Sequence, residues 1–169
     1  MSQRKGFSMS IAAMLLPEFD MEMANTRKVL AVVPDDKFDW QAKPGMHTIG
    51  WVVSHLVEIP NWVPGTISQS LWDLNPPGGE PYVEVVVKNR AESLRLFDQG
   101  VKEAREALAG ATDTQLAELF TLANGGQVYF TIPKLGVIRT WVLNHSIHHR
   151  AFLISYLRMN DVEVPPMYG

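Results

Sequence analysis

Two histidines, His145 and His149, stand four residues apart in the run Trp141 to Arg150, which reads WVLNHSIHHR. On an α-helix that spacing puts both rings on one face, about 6 Å apart along the axis. Such a pair can chelate one cation, as in zinc proteins with a His-Glu-x-x-His helix, although the intervening Glu is absent here. Trp141 lies one turn earlier and Phe152 one turn later on the same stripe, so both rings are expected to look into the protein interior. Buried imidazoles lose their hydration and need partners for their free nitrogens. A cation satisfies two converging rings at once. His55 supplies a third candidate ligand, because it sits in the apolar stripe of a second helical segment with Trp51, Val52, Leu56 and Ile59. Three histidines with the remaining position open make a site of the catalytic kind, able to activate water or a thiol.

The same residues admit a plainer reading, since HxxxH pairs and single inward histidines also serve as hydrogen-bonded packing residues. His148, rotated about 100° from His149, is assigned to an interface or a supporting role beside the site. His47 lies in a loop without a partner in the sequence and is expected to be solvated. Glu58 follows His55 by one turn and is either a solvated helix-face acid or an acceptor or general base beside the site. Arg150 is either a solvated cation or a group that holds an anionic substrate or pairs across an interface. Tyr156 either packs in the core or reaches the cavity with its hydroxyl. Glu58, Arg150 and Tyr156 are therefore the candidate catalytic helpers, and His55, His145 and His149 the candidate metal ligands.

The composition narrows the chemistry further. With no cysteine among 169 residues, a disulfide framework, thiolate-held clusters and a cysteine nucleophile are all excluded. Any metal must be held by nitrogen and oxygen. A formal net charge of −3 offers no basic surface for nucleic acid. The N-terminal Met1–Lys5 is basic, but the apolar run Ile11–Leu16 is too short for a membrane span and is closed by Pro17. A cytoplasmic protein that binds neither nucleic acid nor membrane is expected.

Four helices must position these groups. The first is predicted over about 16–33, with Pro17 at its first position and acidic residues in its first turns. The second starts from Thr48 as N-cap and carries His55, with a proline kink at Pro60 and Pro64, to about Leu71. The third spans 86–109 and stops at Gly110. Between 119 and 131 the period changes to that of a small hairpin about Asn124-Gly125-Gly126. A last helix then runs from about Thr131 and Pro133 to Arg158 and carries the histidines. The reading is one all-α domain over 1–169, a four-helix bundle with long connections. The loops at 34–47, 72–85 and 119–131 are expected to shape the pocket.

The run Val142–Arg150, with Tyr156-Leu-Arg158 and Val164–Gly169 after it, resembles the C-terminal signature of DinB-like proteins, including those of the YfiT type. Thr48–Leu56 resembles that superfamily's second-helix histidine segment, and Phe19–Arg27 and Asp35–Trp40 fit as well. The resemblance implies a four-helix bundle holding a divalent metal, nickel or zinc, on His55, His145 and His149, and a homodimer. Two classes of function follow, one motivated by the open three-histidine site and the other by the lack of a strong general base or nucleophile beside the ligands. One is a metal-dependent enzyme, a hydrolase or thiol S-transferase, acting on an unidentified small molecule, with a thiol among the candidates. The other is a non-catalytic, dimeric, stress-related bundle with a structural or vestigial metal site. The chain departs from the pattern at Ala151-Phe152, where many members carry Gly-Gln, which removes a polar group beside the site.

Overall fold

A computed structural model describes residues 9–168. The basic segment Met1–Lys5 and the closing Gly169, both used in the sequence reading, lie outside the described residues. The chain folds as α1 (Ile11–Leu30), α2 (Ile49–Glu58), a tight 3₁₀ turn (Ile59–Asn61), α3 (Trp62–Ser68) and β1 (Leu71–Asp73). It continues through α4 (Arg90–Gly110), α5 (Asp113–Ala117), β2 (Leu119–Asn124), β3 (Gln127–Pro133) and α6 (Lys134–Val137). A π turn over Ile138–Asn144 then leads directly into α7 (His145–Met159). Four rods result: α1, the bent α2–α3, α4, and the long α6–α7. They form the four-helix bundle, with the small sheet inserted ahead of the last rod.

Apolar residues at helical spacing on each rod meet in one core, including Phe19, Met23, Leu56, Phe97, Leu108, Leu153 and Leu157, all essentially removed from solvent. α1 packs on α4 and α7, while α2 packs on α7 and α4. Gly100 lets α4 approach the Ile59–Asn61 turn, because a Cβ there would stand 2.3 Å from Asn61 Oδ1. That turn delivers α2 into α3 just beyond Glu58.

The sheet has order β1-β2-β3, with β1 parallel to β2 and β2 antiparallel to β3. The hairpin closes through Gly125 and Gly126 at φ +61° and +80°, a conformation that glycine adopts without steric cost. Asp73 at the end of β1 accepts both of their N–H groups at 2.8 Å, so the parallel strand is tied to the turn of the hairpin.

Several boundaries differ from the sequence expectation. α1 begins at Ile11, capped by Ser10, whose Oγ accepts from Ala13 N. Pro17 is internal, because burying Ala12 and Leu15 outweighs the ladder bond that proline cannot donate. The second helix ends at Ser68, and Leu71 is exposed at the start of a strand rather than extending a buried face. The third helix starts at Arg90, with Asn89 as N-cap; the preceding 85–87 runs extended along α2. No helix among the described residues is long and apolar enough to cross a membrane.

Candidate metal centre

Thr48 caps α2 through its Oγ1, which accepts from Trp51 N at 3.1 Å, and so fixes the phase at which His55 leaves the helix. α7 carries His145 and His149 on the face that meets α2. The three rings converge: His55 Nε2 lies 3.1 Å from His145 Nε2, which in turn lies 2.7 Å from His149 Nε2. One ligand nitrogen from each falls within 4.8 Å of the others. His145 Nε2 therefore faces two nitrogens, and a single proton there can bridge to only one of them. A cation accepting all three lone pairs removes the conflict, so the donor set fits a divalent metal.

Burial pushes His145 down to about 4, and the neighbouring His55 and His148 rings disfavour a proton there further. Burial likewise pushes His149 down to about 3, assisted by His55 and His145. Both rings are therefore neutral near pH 7, the form in which imidazole binds metal.

Glu58 is 2% exposed, which removes the solvated alternative. Its Oε2 stands 3.4 Å from His55 Nδ1, while Oε1 accepts from Tyr82 Oη at 2.6 Å and from Val85 N at 2.9 Å. Burial alone would raise its pKa, but the hydrogen bonds from His55, Tyr82 and Val85 together hold it below the usual carboxylate value. The contact assigns the Nδ1–H tautomer to His55 and leaves its Nε2 lone pair aimed at the other rings. Tyr82 and Val85 had no signature in the sequence, because they lie in a proline-rich loop without periodicity.

The other expectations divide. His145 and His149 are half-buried rather than interior, and their stripe opens to solvent: Trp141 is 39% and Phe152 40% exposed. The π turn ahead of His145 is not visible as a change in hydrophobic period. His148 is exposed, its ring edge-on to Phe152. His47 is exposed as expected, yet it has a partner, stacking on Trp51 at 3.5 Å between centroids. Arg150 is turned away from the cluster and is neither solvated nor poised to hold a substrate. It is buried against α1, where it pairs with Glu22 at 2.6 Å. Tyr156 packs in the core, edge-on to Trp40.

Two recesses flank the cluster. Between α3, the sheet and the last rod, His55, Glu58 and His145 border a cavity of about 240 Å³. On the other side His55 and Glu58 border a broader cleft between α2 and the 85–88 strap. Loops predicted to shape the pocket contribute to both: Phe38 and Asp39 to the cleft, and residues of 72–84 and 120–130 to the cavity.

Solved structures share the fold. A DinB-like protein from Bacillus cereus ATCC 10987 superposes with TM-score 0.70 at 21% identity, over 94% of this chain and 98% of that one. The DinB-like protein YjoA from Bacillus subtilis gives 0.69 at 14% identity, over 91% and 96%. YfiT from Bacillus subtilis, described as "a probable metal-dependent hydrolase with an unusual four-helix bundle topology", gives 0.68 at 19%, over 96% and 95%. No curated protein matches the chain. The profile of the DinB superfamily matches residues 18–153, a span that takes in all three converging histidines, and the chain belongs to that superfamily.

Proposed function

We propose that the protein is a metal-dependent enzyme, a hydrolase or thiol S-transferase, with His55, His145 and His149 holding a divalent ion, zinc or nickel. The observation that carries the reading is the convergence of three half-buried imidazole nitrogens within 4.8 Å beside an open cavity. Three neutral nitrogen donors suit either ion. When bound, the ion supplies Lewis acidity, which acidifies water or a thiol and polarises an electrophile. The protein's part is positional. Glu58 orients His55 through Nδ1, and Tyr82 and Val85 hold Glu58 in place. Trp51 stacks on His55 at 4.9 Å between centroids and limits its rotation. Arg150 and Tyr156 take no part at the reacting centre.

One observation favours a non-catalytic, metal-stabilised bundle: both Glu58 oxygens are engaged, which leaves no free carboxylate base at the cluster. The test is metal analysis of protein purified without a nickel column, followed by turnover on a panel of thiols and esters with and without chelator. Stoichiometric metal, lost in His55→Ala, His145→Ala and His149→Ala, with chelator-sensitive turnover, is the expected result. Metal retained by His145→Ala or His149→Ala would reject the site. Metal that chelation removes at a cost to thermal stability, with no turnover affected, would select the second reading.

A further inference from the structure

The cavity between α3, the sheet and the last rod differs from a generic recess in what its walls have left to offer. Its ring surfaces come from Trp62, Trp72, Tyr82, Phe130 and Trp141, and the aliphatic Leu122 lines the wall beside them. The polar groups on these walls are largely spent on one another. Trp62 Nε1 donates to Tyr82 Oη at 3.2 Å, and Tyr82 Oη donates to Glu58 Oε1. Thr66 Oγ1 donates to Trp62 O at 2.8 Å, and Glu58 Oε2 faces His55. Among the described residues no Lys or Arg lines the cavity, and Glu84 at its exposed margin adds negative charge. An anionic group therefore meets no cationic Lys or Arg side chain there, and the only wall charges it would face are the carboxylates of Glu58 and Glu84. At one end His55 and His145 border the cavity, and His145 lies 5.7 Å from the Trp62 ring and 5.9 Å from the Trp141 ring.

We infer that this cavity seats the uncharged aromatic ring of the substrate, with the reacting polar group attached to the ring and held at the histidine end. The inference rests on the metal-enzyme reading for the word substrate, while the ring-binding property belongs to the cavity itself. The size agrees. A dry apolar cavity of about 150 Å³ accepts benzene, and about 240 Å³ accepts a ring with a short substituent. Flat walls also choose flat ligands, because ring faces and edges gain contacts from an aromatic partner that a puckered aliphatic ring does not match.

The experiment titrates the metal-free and the zinc-loaded protein with four small probes, followed by calorimetry. Benzamide is the flat neutral probe and cyclohexanecarboxamide its puckered counterpart. Benzoate and benzyltrimethylammonium test charge of either sign. Benzamide is expected to bind the metal-free protein about tenfold more tightly than cyclohexanecarboxamide and more tightly than either ion. Nuclear Overhauser contacts from its ring to the Trp62 and Trp141 indoles locate it independently of any variant. Leu122→Trp, which fills the cavity, should abolish binding. Equal or reversed preference among the probes, contacts elsewhere, or unchanged binding in a folded Leu122→Trp protein would overturn the inference. If benzamide binds and no metal does, the aromatic seat stands and the enzyme reading falls. If metal binds at one equivalent and benzamide does not, the aromatic seat falls and the metal site stands.

Discussion

Residues 149 and 150 are neighbours on α7, yet they belong to two differently built regions. Arg150, 2% exposed, is bonded through both terminal nitrogens. Its Nη1 donates to Glu22 O and Thr26 Oγ1, and its Nη2 donates to Glu22 Oε2 and Tyr168 Oη, each at 2.6 Å. Tyr168 Oη in turn donates to the Glu22 carboxylate at 2.9–3.0 Å. His149 and His145, about 100° and 140° around the helix, have their Nε2 atoms directed at one another, and that of His145 also meets His55, with more acceptors than protons to share. A buried charge with all its partners in place holds a fold together, whereas converging lone pairs left without a counterpart invite a ligand. One helix thus separates anchoring from binding by its two faces, and the contrast can be challenged from both sides.

The largest effect should come from the anchored face. Arg150→Leu leaves the Glu22 carboxylate buried without its counter-charge and should cost about 3–5 kcal/mol, read as a shift of the urea midpoint. His145→Ala, measured in metal-free protein, should change the same midpoint by no more than about 0.5 kcal/mol. If the two variants cost the same, the distinction between anchor and site collapses.

Glu58→Gln tests whether the converging face is tuned from behind. The amide oxygen can still accept from Tyr82 and Val85, but the charge at His55 Nδ1 is gone. Zinc affinity by competition titration should fall about 10–100-fold with little change in urea stability. An unchanged affinity would remove the orienting role.

Tyr168→Phe probes the edge of the anchor. Its ring is mostly exposed, and the variant keeps the ring face under Arg150 while removing the hydroxyl from the Arg150–Glu22 pair, so the expected cost is about 1 kcal/mol with metal binding intact.

The smallest effect is the pH dependence of the metal-free protein. His145 and His149, at about 4 and about 3, lie below the unfolded value of about 6.5. Between those limits the unfolded chain binds more protons at these positions. Their contribution is therefore complete above about pH 6.5 and is lost as pH falls towards the folded values. The rings are half-exposed, so the slope is modest. A His145→Ala/His149→Ala protein should show a flatter urea-stability profile between pH 6.5 and 4.5, and an identical profile would place the protons elsewhere.

Much of this was legible locally. The i, i+4 pair, the apolar stripe around His55 and the Thr48 cap placed three ligand candidates on two facing helices, because helical periodicity carries direction as well as identity. The hairpin announced itself through Asn124-Gly125-Gly126. What escaped depends on non-local pairing. Leu71–Asp73 becomes a strand only against Thr121–Ala123, about fifty residues later. Tyr82 and Val85 matter only because their loop returns to Glu58. Arg150 was legible as a cation, but whether it met water or a carboxylate was decided by Glu22, on a helix more than a hundred residues earlier. The start of α1 is hidden for another reason: Pro17 suits a first turn, and nothing local shows that burial extends the helix back to Ile11.

The π turn over Ile138–Asn144 makes the division on α7 a matter of gearing. A π turn holds about one residue more than the α turn it replaces, and one residue is worth about 100° of helix rotation. A chain one residue shorter within 138–144 would keep both halves of the rod helical while dialling one against the other by that angle. The setting that now aims His149 at the histidine cluster and Arg150 at the core would be one notch out. Length in this segment, where helices usually resist insertions and deletions, therefore sets where the histidines point as directly as their own positions in the sequence do.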